Sequence, residues 1–176
     1  MILVRSARTE EYATVGALTV AAYRDLPVDH LWGGYETEIM DTATRAKSAD
    51  ILVAEHDDRV VGSVTYVSEH TSAWSEWTLP GEAQFRLLAV DVSARGRGVG
   101  ELLVRACLDR ARGASQPVIV HTTQWMDAAR RMYERLGFVR RPDRDVPYEV
   151  WNADPIDDLP DAWIGQSFLA YTATTT

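Results

Sequence analysis

Residues 94–103 read ARGRGVGELL, with Gly96, Gly98 and Gly100 alternating with Arg97 and Val99, Arg95 in front and an apolar run behind. Glycines that open a helix make an anion site. The first N–H groups of a helix have no internal acceptor and carry partial positive charge, so an anion collects several of them at once. A side chain would block that approach, and glycine also takes the tight turn. Arg95 and Arg97 add positive charge at the rim. Three phosphate patterns compete for the stretch. A P-loop requires a lysine and then Ser or Thr after its last glycine, where Glu101 and Leu102 stand. The dinucleotide fingerprint G-x-G-x-x-G lacks its third glycine in either frame, and no acidic residue closes the next strand, PVIVHT. The pattern R/Q-x-x-G-x-G/A is met by Arg95, Gly98 and Gly100.

Other side chains offer both a chemical reading and a packing one. His121 stands next to last in the β-branched run PVIVHT. A histidine of pKa near about 6.5 accepts a proton at neutral pH, and it reads equally well as a hydrogen-bonded residue at a strand end. Tyr133 belongs to a stripe, Ala129, Met132, Tyr133 and Leu136, at the spacing of a core-facing helix. Cys107 lies with Val99, Leu102, Leu103 and Ala106 on one helix face and reads as a small buried hydrophobe. No histidine, cysteine or carboxylate cluster has metal-ligand spacing, so no metal is expected.

These residues need elements to hold them. Ile2 to Val4 begin a strand. Thr9 is a plausible N-cap with Glu10 and Glu11 in the first turn, and a helix runs to about Asp25 with Tyr12, Val15, Leu18 and Ala22 on one face before Pro27 stops it. Residues 35–48 form a second helix of weaker pattern. Asp57-Asp58 separates two strand-like runs and marks a β-hairpin. Residues 70–82 form a polar loop with two tryptophans, and AQFRLLAVDV (83–92) is a buried strand. A helix follows the glycines to about Arg112. Then come the strand 117–122, a helix over 126–137 ended by glycine, the strand FVRR, an irregular stretch 142–166, and a closing strand, SFLAYTA (167–173). Strand–helix–strand between 83 and 122 implies parallel neighbours, whereas the hairpin is antiparallel. The fold class expected is α/β: a mixed sheet with helices on both faces.

Size and composition bound the reading. The chain has 176 residues, 46% hydrophobic and 25% charged, with no repeat or linker, which fits one domain over 1–176 with a core of its own. A formal net charge of −8 argues against a nucleic-acid partner. Lys47 is the only lysine. No apolar run is long enough to span a membrane or to serve as a signal peptide, and the single cysteine fits a reducing compartment, so a cytoplasmic location is expected.

The stretch LLAVDVSARGRGVGELLVRACLDRA, followed by AARRMYERLGFVR, resembles the two acyl-CoA motifs of the GNAT family of N-acetyltransferases across residues 84–141. The resemblance implies a mostly antiparallel sheet whose central parallel strands splay apart. It implies acetyl-CoA as cosubstrate, with the coenzyme A pyrophosphate on the backbone amides of Gly96, Arg97, Gly98, Val99, Gly100 and Glu101 beside Arg95. The pantetheine arm would follow Leu88, Ala89 and Val90, bordered by Met126, Ala129 and Tyr133, and a backbone N–H of that strand would face the developing oxyanion. Tyr133 matches the tyrosine of A-x-x-x-Y-x-x-x-G-F, with Ala129, Gly137 and Phe138, and would assist the leaving thiolate. This sequence departs from the family in two places. Gln84 stands on the first splayed strand where an acid is common, which leaves His121 as the base and Glu82 as a fallback. Met126 replaces an asparagine and brings no amide to the arm.

In this fold the acceptor pocket draws on the loops that carry Trp32, Trp74, Trp77, Trp151 and Trp163, and on an acidic tail holding Asp143, Asp145, Glu149, Asp154, Asp157, Asp158 and Asp161. Each tryptophan reads as well as a loop anchor, and the charge run as a solvated face. The function expected is acetyl transfer to a primary amine, on a small molecule or a peptide, by direct attack. A non-catalytic acyl-CoA-binding domain and a longer-chain acyltransferase are the alternatives. Neither a nucleic acid nor a membrane is expected as partner, and a homodimer stays open.

Overall fold

The computed structural model describes residues 1–25, 32–148 and 165–175. Asp57 and Asp58 take φ of 49° and 57°, the left-handed pair that a two-residue hairpin demands, and so join β2 (Asp50–His56) to β3 (Arg59–Val67). β1 (Ile2–Ser6) pairs with β2, and β4 (Ala83–Val90) pairs with β3, all antiparallel. β5 (Val118–Thr122) then lies parallel to β4. The chain continues through β6 (Val139–Arg140) and β7 (Val146–Pro147) to β8 (Ser167–Ala173). The sheet order is β1-β2-β3-β4-β5-β8-β6, with β7 on β8. β8, the closing strand of the sequence reading, therefore inserts between β5 and β6.

Helices cover both faces of this sheet. They are α1 (Tyr12–Arg24), α2 (Trp32–Met40), α3 (Thr42–Arg45), α4 (Val99–Gly113) and α5 (Asp127–Arg135). Two neighbours on β3 define the sides. A Cβ at Gly62 would meet Val99 and Leu103 of α4, whereas the Ser63 hydroxyl lies 3.4 Å from that of Thr19 on α1. Successive strand residues point to opposite faces, so α1 and α4 sandwich the sheet. On the α4 side Leu52, Val64, Phe85, Leu103, Val120 and Tyr133 belong to one buried cluster. On the α1 side Val20, Ile39, Val67, Trp74 and Leu87 form another.

Several local expectations are corrected. Thr9 is not an N-cap. Thr9–Glu11 is a 3₁₀ turn preceded by Arg8, and the Glu11 carboxylate accepts the Arg8 N–H at 2.7 Å. The buried face of α1 is Val15, Gly16, Thr19 and Val20; of the expected Tyr12, Val15, Leu18 and Ala22 only Val15 belongs to it. The reason is a close crossing: a Cβ on Gly16 would sit 2.2 Å from the Met40 carbonyl oxygen, so α1 turns its smallest residue toward α2. The single helix expected over 35–48 is two, because the Asp41 side chain accepts the Thr44 N–H at 2.9 Å and starts α3. Leu102, placed on the apolar face of its helix, is 38% exposed.

β4 carries the feature that shapes the site. Leu87 adopts φ of 52°, and the β3 register slips between Ser63 and Thr65. This bulge shifts the alternation. Phe85 faces α4, Leu87 joins the α1-side cluster, and Leu88 packs back on the α4 side. On its other edge β4 meets β5 at only two positions, Ala83↔Val118 and Gln84↔Ile119. Beyond them the two strands part.

The N-terminal turn is held by charge. Hydrogen bonds from Arg5 to Glu11 outweigh burial and bring the carboxyl down from 4.5 to about 2, with Arg8 assisting. Its folded pKa lies below its unfolded one. The stabilisation is therefore complete above the unfolded value of 4.5 and is lost as pH falls through about 2. Urea unfolding across that window should show a steeper loss of stability for the parent chain than for Glu11→Gln. Parallel curves would remove Glu11 from the acid response.

Candidate active site

A cleft of about 600 Å³ occupies the gap between β4 and β5. Phe85, Leu88 and Val90 line it from the α4 side of the sheet, with Gly100, Ala129, Met132 and Tyr133. Arg86, Leu87 and Tyr23 line it from the α1 side. Val120, His121 and Thr122 form its β5 wall. The cleft thus runs through the sheet from one helical layer to the other.

The glycine turn closes one end. Gly96 and Gly98 have φ of 75° and 79°, and a Cβ on either would meet nothing within 4 Å. The backbone conformation demands glycine there, and the space beside it is open. Gly98 caps α4 without any side-chain bond, and the Leu102 N–H is bonded to the Gly98 carbonyl at 3.0 Å. The amides of Val99, Gly100 and Glu101 have no intrahelical acceptor. The Val99 side chain is buried against Gly62, and Ala89 is buried opposite Ser63. Arg95 pairs with Asp25 at 2.8 Å and donates to the Val90 carbonyl at 3.3 Å, while Arg97 is exposed. The Glu101 carboxyl is held low by a hydrogen bond from Arg105, at 2.8 Å, and by Arg135.

Tyr133 is a core residue that also reaches the cleft. Its ring packs in the core against Phe85, Phe138 and Tyr171, with centroids 5.6, 5.6 and 6.3 Å away. It also lines the cleft. Burial pushes the phenol up, so it stays protonated and available as a donor. Met126 lines the cleft as well, and its sulfur accepts from the Thr122 hydroxyl at 3.5 Å.

The three places considered for a base differ sharply. Gln84 is 2% exposed and forms a two-point clamp with the Glu76 backbone, at 3.0 and 2.9 Å. Glu82 is absent from the cleft wall. It takes two bonds from Arg144, at 2.9 and 3.0 Å, and one from the Leu79 N–H at 2.8 Å. Burial raises its carboxyl, and these bonds more than offset that and leave it low. His121 does reach the cleft. Its Nε2 donates to the Arg144 carbonyl at 3.2 Å, and its Nδ1 is buried with no partner among the described residues. The expected pKa near 6.5 is corrected: burial lowers the ring to about 4.

Residues that the sequence reading passed over complete the α1 side. Arg86 pairs with Glu76 at 2.6 Å and donates to the Trp74 carbonyl at 3.1 Å. The guanidiniums of Arg86 and Arg45 each lie 5.6 Å from the Trp74 ring. Gln84 and Arg86, polar at alternate positions of an otherwise apolar strand, were the available signal. Of the tryptophans, Trp74 is a core anchor and Trp77 touches His121 and Phe168. Among the described residues, Trp125 is the tryptophan in the cleft wall. Trp151, Trp163 and the side chain of Trp32 lie outside the described residues, as do Glu149, Asp154, Asp157, Asp158 and Asp161. Asp143 and Asp145 are paired with Arg141 and Arg140. Burial raises the Cys107 thiol, which keeps it inert. No helix among the described residues is long and apolar enough to cross a membrane.

A sheet that opens at a parallel pair beside a glycine-started helix is an architecture shared with solved acetyltransferases. An N-acetyltransferase from Staphylococcus aureus Mu50 superposes over 100% of this chain and 99% of its own, with a TM-score of 0.70 at 16% identity. A GNAT family acetyltransferase from Brucella melitensis, solved in complex with acetyl-CoA, covers 79% of this chain and 83% of its own, with a TM-score of 0.58 at 23% identity. The sequence model of the Acetyltransferase (GNAT) family matches residues 16–138, and the chain belongs to that family. N-alpha-acetyltransferase RimI of Mycobacterium tuberculosis is 39% identical over 77 residues, which are 44% of this chain and 48% of that protein. The match therefore spans about half of that relative's length.

The burial of His121 has a direct readout. In a proton NMR titration its ring resonances should stay flat from about pH 8 to 5.5, where an ordinary imidazole titrates. A midpoint near 6.5 would show that water reaches the ring.

Proposed function

We propose that the chain is an acetyl-CoA-dependent N-acetyltransferase that acts on a primary amine of low basicity, the α-amine of a peptide first among them. The observation that carries the reading is the cleft through the parted strands, with uncapped amides at one end and Tyr133 and His121 in its walls. The open space beside Gly96 and Gly98 fits a pyrophosphate on the amides that start α4. The edge of β4 beyond Gln84, unpaired by β5, offers backbone groups to an extended arm and an N–H to the developing oxyanion.

The remaining steps fall to side chains. Tyr133, held as a neutral phenol, hydrogen-bonds the departing thiolate and lends it a proton. His121 receives the surplus proton of the attacking nitrogen at Nδ1. A ring of low basicity limits the choice of acceptor. A lysine-like amine costs roughly 4–5 kcal/mol to deprotonate at pH 7, whereas an α-amine of pKa about 8 costs roughly 1 kcal/mol. Once the new carbon–nitrogen bond forms, the nitrogen's proton is acidic and a weak base suffices. RimI, named as an N-alpha-acetyltransferase, agrees with that class of acceptor. The absence of a free carboxylate at Gln84 and Glu82 favours a second reading, a domain that binds acyl-CoA without turnover.

Two substitutions separate these readings. A Cβ at Gly100 would make only ordinary contacts, at 3.7 Å to Met132 and Val90. Gly100→Ala should therefore fold at least as stably as the parent, yet calorimetry should show acetyl-CoA bound about tenfold more weakly, a loss of about 1.4 kcal/mol. Unchanged affinity would move the cofactor away from this helix start. Tyr133→Phe should lower kcat about tenfold or more, read as thiol release with a lysine-free peptide bearing a free α-amine. Unaltered turnover would take Tyr133 out of the chemistry, and no thiol release from the parent with any amine would favour the binding domain.

A further inference from the structure

His121 is fixed from three directions. Its backbone pairs with Ala170 of β8. Its Nε2 donates to the Arg144 carbonyl at 3.2 Å. Its ring meets Trp77 edge-on, with centroids 5.1 Å apart. The last two contacts come from different loops, and Arg144 joins those loops. Its guanidinium takes both oxygens of Glu82, at 2.9 and 3.0 Å, and donates to the Trp77 carbonyl at 3.0 Å. The pair is largely screened from water, with side chains 17% and 12% exposed. One residue thus supplies the carbonyl that engages Nε2 and anchors the loop whose indole covers the ring.

A carbonyl oxygen only accepts, so the ring proton sits on Nε2. Nδ1 is left with a buried lone pair and no partner among the described residues, in a ring whose residue lines the cleft. The charged groups around the ring are Arg144 and Asp145 from the segment before β7, Arg86 from β4, and Glu82 from the preceding loop.

We propose that Arg144 and Glu82 are positioning residues that hold His121 in its Nε2–H tautomer, so that Nδ1 keeps the free lone pair that takes the proton of the acceptor amine. The inference rests on the reading of His121 as the group that takes the amine's proton. In that step the nitrogen bonds the acyl carbon as the carbon–sulfur bond breaks. The surplus proton passes from nitrogen to Nδ1, and sulfur leaves with its electron pair toward the Tyr133 hydroxyl. Glu82, the fallback base of the sequence reading, thereby acts at one remove, through Arg144.

The test reads the tautomer apart from turnover. The chain has four histidines, and His121→Asn assigns the His121 signals by their loss. In the parent at pH 7, nitrogen-15 shifts should show one tautomer, Nε2–H. In Arg144→Ala, and in Glu82→Gln, which keeps its shape, they should move toward a tautomer mixture. With the same α-amine peptide, kcat should fall about tenfold in both variants, the scale of a mispositioned acid–base group, with KM for acetyl-CoA unchanged. Arg144→Lys, which keeps one charged contact, should recover part of kcat. An Nδ1–H tautomer in the parent, or folded variants that keep tautomer and kcat, would overturn the positioning role. Unchanged kcat in His121→Asn would instead overturn the underlying assignment of the base, whatever the tautomer shows.

Discussion

Two parallel strands that pair at two positions and then separate are an expensive arrangement. Backbone N–H and C=O groups in a sheet interior are normally satisfied by the neighbouring strand, and leaving them without partners costs free energy. Here β4 and β5 keep only the Ala83 and Gln84 pairings. The rest of the fold makes the opening affordable. The bulge at Leu87 keeps β4 attached to β3 while it swings the strand, and β8 covers the far edge of β5 along its whole length. α4 and α5 close one face over Phe85 and Val120, and α1 with the Trp74 cluster closes the other.

The polar residues beside the gap divide into those that build its walls and those left open inside it. Gln84 and Arg86 lie on β4 but are spent on the 74–76 loop, through the Glu76 backbone and the Glu76 carboxylate. Glu82 is spent on Arg144. A buried charge without a partner is costly, so these pairings are what allow charged groups so close to an apolar cleft. Two of the lining side chains stay neutral. Tyr133 has its phenol raised by burial and His121 has its imidazole lowered by burial, and each is kept in the form that costs least to desolvate. In the proposed reaction these neutral hydrogen-bonding groups would carry the proton transfers, which would narrow the amines that suit the site.

Much of this was legible in the chain. The hairpin at Asp57-Asp58, the strand before the glycines, the helix after them and the closing strand all appear where periodicity and turn chemistry place them. Gly96 and Gly98 have the positive φ that their spacing called for. Other readings failed for nonlocal reasons. The face of α1 is set by how closely α2 approaches Gly16, a contact with Met40 that no helical wheel of α1 contains. Sequence could not choose between pocket and anchor for Trp74, and the fold makes it a core anchor, buried with Val20, Ile39, Val67 and Leu87 from other segments.

The sequence by itself determined most of the elements, the glycine turn and the apolar stripe that carries Tyr133, because those depend on neighbours within a turn or a strand. Only the tertiary structure decided which of Gln84, Glu82 and His121 has a free lone pair, since that depends on Glu76, Arg144 and Trp77 arriving from other segments. It also decided the basicity of His121. A pKa follows from how much water and charge surround a group, and both are set by packing between residues that the chain brings together only when it folds.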